Sequence, residues 1–434
     1  MTNLSWLRAI LVALVLAPWG SIRGDSLSLA QAVRDVQEMN PDIHALQEQA
    51  ESAHQRALQA LSPSDPSVSL SSNDLNYLFD WGKQGPGDWS NAGSIVASVN
   101  QPFSFPGKAI LSFSAGQDQA DALSAQVKSM ELQVSGNVKN AYYQLAVSLK
   151  NLDLNSEQEE IYDQIVAVVK RRYEAGSVTQ VDLANAQMAV AMNDSARADL
   201  VLAERNARAQ LNILLGRPQA APLEIDPLPE HVSFLDIDRN EALEKLEQRN
   251  LQLLSARSQE RAASKNYALA WMSLLPDYQI SVASNTYNEP SFADASASPV
   301  SPIDRSYSVS LAFNFPVWFL FNETRGIAAS AHDRAAAQDS LRSEEMQNKT
   351  ALESALATLD NLKSKLGIYQ DQLLPLSELA LKMALINYGT AKIGFQDLAA
   401  AATALWSTRS TYNSLLASYA SAYTNFGQLI GEDL

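Results

Sequence analysis

Two segments of the chain alternate apolar and polar residues with a period of two. From Tyr307 to Phe315 every second side chain is apolar, and the residues between them are small or polar. The run from Ile95 to Phe105 shows the same alternation less regularly, and each run is preceded by a weaker one. A period of two indicates a β-strand with one apolar and one polar face. The pattern therefore predicts four strands, at about 66–79, 94–105, 277–288 and 304–317.

Most of the remaining sequence is rich in alanine, leucine, glutamine and glutamate, which favour helices. The pattern predicts helices at about 27–61, 108–174, 180–215, 238–274, 322–387 and 396–430. A continuous helix over residues 108–174 is about 100 Å long, because each residue adds about 1.5 Å. A helix of this length needs neighbouring helices to pack against, as in a coiled coil.

The chain contains two copies of one unit. Residues of the first half match residues 210 positions later near the start of the unit, and 214 and then 215 positions later further on. The matched pairs include Asn40 with Asn250, Pro102 with Pro316, and Tyr173 with Tyr388. A shift that changes so little predicts two equivalent structural units. Each has the order helix, β-hairpin, helix, helix, at 25–216 and 235–434, joined by a proline-rich linker at 217–234.

The first 24 residues have the pattern of a secretory signal peptide. Arg8 precedes an apolar run from Ala9 to Ala17, and small residues and a proline follow, up to Gly24. The run is shorter than the about 20 apolar residues that span a bilayer as a helix. We therefore predict a signal peptide at 1–24, with cleavage near Gly24, and export of the chain.

Composition argues against several classes of function. The formal net charge of −16 becomes −18 once Arg8 and Arg23 leave with the signal peptide, and so acidic a surface repels nucleic acid. The acidity serves either solubility or the attraction of cations into a pore. The chain has no cysteine, no histidine pair at helical spacing, no phosphate loop and no catalytic triad pattern. We therefore expect no enzyme activity, no cofactor and no metal site, and we attribute the spacing of Met188 and Met192 to helix packing.

The apolar faces of the predicted strands need a partner. Apolar–polar alternation over about ten residues is typical of strands in a membrane β-barrel, although short amphipathic strands also occur in soluble sandwiches. Four strands cannot close a barrel, and open edges are not tolerated in lipid. Three chains would supply twelve strands, so the pattern favours several copies that share one barrel.

The repeated motifs resemble the TolC family of outer-membrane efflux proteins over essentially the whole mature chain. The motifs that carry the resemblance are Tyr-Glu-Ala-Gly at 173–176 with Val-Asp-Leu at 181–183, Tyr388 to Gly394 with Asp397-Leu398, the strand exits at 101–108 and 315–326, and the closing glycines at 216 and 431. The Phe-Pro-Gly-Lys exit at 105–108 and the segment 322–326 look most like the heavy-metal efflux branch.

The resemblance implies a fold that is mainly α with membrane β. It implies a homotrimer with a shared twelve-stranded barrel in the outer membrane and an α-helical tunnel in the periplasm. Its partners would be outer-membrane lipid, a periplasmic adaptor protein and an inner-membrane pump. The function implied is a passive exit duct for metal cations or small molecules. A periplasmic coiled-coil adaptor or scaffold protein is the alternative.

The resemblance also places six candidate residues at the periplasmic tip, in turns at about 174–180 and 389–396. They are Tyr173, Gly176, Asp182, Tyr388, Gly394 and Asp397. The aspartates either cap helices or ring the closed pore, and the tyrosines either bond across the tip or pack between helices. The second copy departs from the first, because Ala391 stands where Gly176 stands and a glycine appears only at position 394.

Overall fold

The computed structural model describes residues 26–72, 94–227, 237–288 and 303–434. The predicted signal peptide, residues 73–79 of the first predicted strand and residues 228–234 of the linker lie outside these ranges. The first repeat contains α1 (Leu29–Met39), α2 (Pro41–Gln59), β1 (Ser67–Ser72), β2 (Ser94–Phe103), α3 (Lys108–Glu174) and α4 (Gln180–Leu214). The second contains α5 (Arg239–Arg249), α6 (Leu251–Met272), β3 (Asp277–Asn288), β4 (Ile303–Asn314), α7 (Glu323–Ile368), a π-helix (Tyr369–Leu373), α8 (Leu374–Gly389) and α9 (Phe395–Ile430).

The opening helix of each repeat is broken in two, so the prediction of single helices at 27–61 and 238–274 is wrong. The break falls at Asn40 and Asn250, which the repeat aligns with each other. The side-chain oxygen of Asn40 accepts from the backbone N–H groups of Asp42 and Ile43, and that of Asn250 accepts from Leu253. An asparagine that caps a new helix offers the backbone an alternative to continuing the old one.

Between matched buried positions, the long helical stretch of the second repeat has one residue more than that of the first. Buried Leu145 corresponds to buried Leu359 at a shift of 214, whereas buried Val169 corresponds to buried Ala384 at a shift of 215. The π-helix Tyr369–Leu373 lies between these positions, while α3 is continuous. A π-helix accommodates a single inserted residue inside an α-helix, which explains the change of shift.

The two hairpins join into one antiparallel sheet with the strand order β1-β2-β3-β4. The register places four valines in one row across the sheet, Val68, Val99, Val282 and Val309. All four residues are exposed, with relative exposures from 46% to 77%. The opposite face carries rows of serine and other small residues. The sheet therefore presents a mainly apolar face that the described part of the chain does not cover.

Strands β2 and β4 end two and three residues before the predicted ends at 105 and 317. The backbone N–H of Phe105 donates to the carboxylate of Asp277 instead of to a strand neighbour. After β4, Pro316 has no N–H to donate, and Val317 bonds back to the carbonyl of Phe315 in a turn. Within the described ranges, no helix is long and apolar enough to cross a membrane.

Candidate functional site

The two turns at the tip, where α3 meets α4 and α8 meets α9, have the same backbone geometry. After α3, Ser177 N–H donates to the carbonyl of Arg172 and Gly176 N–H to that of Tyr173. After α8, Lys392 and Ala391 make the corresponding bonds to residues 387 and 388, at 2.9 and 3.0 Å. This pair of bonds is the Schellman motif, which ends a helix with one residue in the left-handed conformation.

Ala391 occupies the left-handed position that Gly176 occupies in the first repeat. The φ angle is +69° at Gly176 and +60° at Ala391, the single non-glycine residue with positive φ in the described part of the chain. A left-handed conformation costs a residue with a Cβ about 1–2 kcal/mol. The second turn was expected to differ from the first in geometry. Its backbone instead follows the same path, and the difference is the strain at Ala391. Gly394 has an extended backbone and precedes α9 as its N-cap.

Asp182 and Thr179 form a reciprocal cap at the start of α4. Thr179 N–H donates to Asp182 Oδ2 at 2.9 Å, and Asp182 N–H donates to Thr179 Oγ1 at 3.2 Å. These bonds satisfy two donors that the first helical turn leaves free. The bonds from Thr179, aided by the positive charge of Arg172, lower the pKa of Asp182 below its ordinary value.

Asp397 makes the weaker version of this cap at the start of α9. Its Oδ2 accepts from the N–H of Gly394 at 3.2 Å. Glycine has no side chain to return a bond, so one half of the reciprocal arrangement is missing. Both predicted aspartates therefore make capping hydrogen bonds, and only Asp182 belongs to a complete capping box.

The two tip tyrosines occupy different environments. Tyr388 is 2% exposed, while Tyr173 is 40% exposed. The guanidinium of Arg172 lies 4.7 Å from the centre of the Tyr388 ring, and its Nη1 donates to the Tyr388 carbonyl at 2.7 Å. Burial raises the pKa of the Tyr388 hydroxyl, and the charge of Arg172 partly opposes this rise. Tyr388 therefore packs between helices, and Arg172 ties α3 of the first repeat to α8 of the second.

Arg172 did not emerge from the sequence as a site residue. The repeat aligns Arg172 with Asn387. The one indication of a special role was therefore that the first copy carries a charge that the second copy lacks. A second arginine, Arg409 on α9, links the same helices further from the tip. It pairs with Glu157 of α3 at 2.9 Å and with Glu378 of α8 at 2.8 Å.

An apolar core joins all four long helices near the tip. Its buried members are Tyr162, Ile165, Val169, Ala186, Leu381, Ala384, Tyr388, Phe395, Leu398, Ala402, Leu405 and Trp406. No group of three or more histidine, aspartate or glutamate side chains is placed to hold a metal ion in the ranges that the structure describes. The core thus holds the α3–α4 hairpin against the α8–α9 hairpin.

The junction between sheet and helices is a second ordered site, built on the Phe-Pro-Gly-Lys exit. Lys108 Nζ lies 2.7 Å from Asp277 Oδ1 and 3.0 Å from the carbonyl of Leu275. The same Asp277 oxygen accepts from the backbone of Phe105 at 2.7 Å. Gly107 has a φ of +96°, a conformation that glycine adopts without strain. The exit of the first repeat is thereby fixed to the strand that begins the second hairpin.

Solved structures with this fold are outer-membrane proteins. VceC of Vibrio cholerae, an outer membrane protein, has a TM-score of 0.72 at 16% identity, covering 93% of this chain and 96% of its own. The CmeC outer membrane channel of Campylobacter jejuni gives 0.71 at 15% identity, covering 93% and 85%. The MtrE outer membrane channel of Neisseria gonorrhoeae, in its open state, gives 0.70 at 16% identity, covering 94% and 89%.

The chain thus has the fold of these outer-membrane proteins. Residues 32–217 match the model of the outer membrane efflux protein family. No curated protein matches the sequence. The first repeat therefore matches the model of that family, and the whole chain shares the fold of the outer-membrane proteins above.

Proposed function

We propose that the protein is the outer-membrane channel of a tripartite efflux pump, a passive exit duct from the periplasm to the exterior. The observation that carries the proposal is the exposed apolar face of the sheet, attached to the ends of helices about 100 Å long. Water disfavours a face on which Val68 and Val309 are more than 70% exposed, whereas lipid accepts it. The family match and the shared fold point to the same role.

Three copies would complete the structure. The sheet of one chain ends in two free edges, β1 and β4, whose backbone groups need partners in a bilayer. The β4 edge of one copy would pair with the β1 edge of the next, which gives twelve strands around one barrel. The serine-rich face would then line the lumen, and the long helices would form a tunnel in the periplasm.

The tip would be the closed end of this tunnel and the surface that meets a periplasmic adaptor and an inner-membrane pump. Arg172 and Arg409 hold the α3–α4 hairpin to the α8–α9 hairpin, so release of these contacts would widen the tip. Tyr173 and Asp397 are exposed there, and three copies of each would surround the opening. The negative net charge would favour cations in the tunnel.

For the cargo we propose metal cations, with other small molecules as the second class. The support is that the Phe-Pro-Gly-Lys exit at 105–108 and the segment 322–326 look most like the heavy-metal branch of the family. A strain that lacks the gene should be tested for growth with metal salts and, separately, with toxic organic compounds. Increased metal sensitivity supports the metal role, and unchanged metal tolerance with increased sensitivity to organic compounds contradicts it.

The channel itself is tested by cell fractionation and by mass. We expect the protein in the outer-membrane fraction, extractable only with detergent, and in complexes of three chains. A protein that stays in solution without detergent would contradict the proposal. A complex of another size would leave the membrane location standing and refute the shared barrel.

A further inference from the structure

The segment that connects β4 to α7 exposes an unusual density of large apolar side chains. It reads Phe-Pro-Val-Trp-Phe-Leu-Phe from 315 to 321, and we name it the aromatic turn. Val317, Trp318, Leu320 and Phe321 are each between 65% and 74% exposed. The turn contains no charged residue. Exposed clusters of this kind mark contact with a partner or with a membrane.

Several backbone N–H groups of the aromatic turn donate to carbonyls within the turn itself. Phe319 N–H donates to the carbonyl of Pro316 at 3.2 Å, and Phe321 N–H to that of Trp318 at 2.9 Å. Thr324 Oγ1 donates to the carbonyl of Leu320 at 2.9 Å. A segment that leaves water must satisfy its polar groups internally, and these bonds do so for part of the turn.

The aromatic turn continues the apolar face of the sheet. Phe313 stands on that face in β4, and its ring centre lies 6.3 Å from that of Phe315. Since Asn314 pairs with Asp277, the turn begins at the end of the sheet from which the long helices leave. Trp271 is 51% exposed and lies in the last turn of α6, next to the same end of the sheet.

The corresponding exit of the first repeat is built differently. Only residues 104–107 separate β2 from α3, whereas residues 315–322 separate β4 from α7. The short exit is fixed by the ion pair of Lys108 with Asp277. The position aligned with Lys108 is Asn322, whose side chain bonds only to its neighbour Glu323 among the described contacts. The second exit therefore has an apolar surface where the first has an ionic contact.

We propose that the aromatic turn lies in the headgroup region of the inner, phospholipid leaflet of the outer membrane and anchors the second exit there. The inference rests on the proposed channel function. Tryptophan favours the boundary between lipid and water, because its ring is apolar and its N–H is polar. Lipid is the occupant that the turn's continuity with the sheet favours, since the apolar face extends uncovered across all four strands. Charged residues resume at Glu323 and Arg325, where the chain would leave the membrane.

The chain has no cysteine, so a single introduced cysteine can carry a nitroxide spin label without a background. Full-length Leu320→Cys reports the turn, Val309→Cys reports the sheet face, and Met346→Cys, 60% exposed on α7, reports water. Each labelled protein is reconstituted into phosphatidylethanolamine–phosphatidylglycerol vesicles. Collisions with oxygen, which concentrates in lipid, are compared with collisions with a water-soluble nickel complex.

We expect the oxygen-to-nickel collision ratio at Leu320 to be several-fold above that at Met346 and below that at Val309. A ratio at Leu320 equal to that at Met346, with a lipid value at Val309, overturns the anchor alone. Water values at both Leu320 and Val309 overturn the channel function as well. Protection of Leu320 from both reagents assigns the turn to a second copy of the chain and also overturns the anchor.

A second variant keeps the test independent of labelling. Trp318→Phe preserves an apolar ring and removes one fluorophore. In vesicles of lipids brominated near the headgroup, we expect the wild-type protein to lose more fluorescence than the variant. Equal quenching of the two proteins contradicts the placement of Trp318 in the leaflet.

Discussion

Replacement of Arg172 by alanine tests how the closed tip is held. The side chain contacts the second repeat in two ways, through its hydrogen bond to the carbonyl of Tyr388 and through the face of the Tyr388 ring. Both contacts join helices of different repeats. Their loss should therefore favour separation of α8 from α3 while the fold of each hairpin stays intact.

The structure allows the effect to be estimated. The carbonyl of Tyr388 also accepts from the N–H of Ala391, so it keeps one partner when Arg172 is removed. The charged hydrogen bond is then worth about 1.5 kcal/mol, the low end of its range. The cation–π contact of a half-buried arginine adds about 0.5–1 kcal/mol. A total of about 2 kcal/mol per chain corresponds to a roughly 30-fold change in the equilibrium between closed and separated hairpins.

The assay is the resting conductance of purified protein in planar lipid bilayers, with Arg171→Ala as the matched control. Arg171 is the neighbouring residue of the same charge, and its side chain bonds only to the carbonyl of Ala167 within its own helix in the described contacts. We expect higher resting conductance for Arg172→Ala and a wild-type value for Arg171→Ala. Equal conductance of all three proteins would refute the role of Arg172 as a tie between the repeats.

Three further predictions concern local energetics. Gly176→Ala should lower, and Ala391→Gly should raise, the free energy of unfolding in denaturant by about 1 kcal/mol, because both positions are left-handed. Asp182→Asn should lower the free energy of unfolding at neutral pH. The difference in this free energy from wild type should disappear as the pH falls through the lowered pKa of Asp182, because the carboxylate stabilises the fold only while it is ionised. The amides of the π-helix Tyr369–Leu373 should exchange with solvent faster than the aligned amides of the continuous helix, because Pro375 supplies no N–H to this turn.

Each of these predictions has a clear contrary outcome. Destabilisation by Ala391→Gly would mean that the methyl group of Ala391 makes contacts that outweigh its strain. A constant gap between Asp182→Asn and wild type down to pH 2 would show that the charge of Asp182 does not strengthen the cap. Exchange at equal rates in the two long helices would show that the π-helix is as well protected as an ordinary α-helix.

Elements with strong local patterns could be predicted from the sequence. The alternation at 307–315 identified β4 because its apolar side chains share one face of the sheet, and the longest helix was predicted with its observed bounds, 108–174. The prediction of a mainly α fold with two β-hairpins is confirmed, and the first repeat matches the outer membrane efflux protein family that the motifs resemble. The breaks at Asn40 and Asn250 were missed, although Pro41 and the aligned asparagines indicated them.

The tip could be predicted only in part, because its contacts join residues far apart in the chain. The capping bonds of Asp182 are local, and a threonine three residues earlier is a readable indication. The contact of Arg172 with Tyr388 spans 216 positions, so it requires the packing of two repeats to be known. The π-helix lies between these cases. It was not predicted, although the change of shift from 214 to 215 is the sequence feature that corresponds to it, and locating it needed the burial pattern.

The measurement that tests the central account most directly is single-channel recording of the purified wild-type protein in planar bilayers. We predict discrete current steps of one uniform size, small at rest because the tip is tied shut, and a preference for cations over anions. Protein that inserts into the bilayer, as shown by a lipid-exposed label at Val309, yet carries no current in wild-type or Arg172→Ala form would contradict the account.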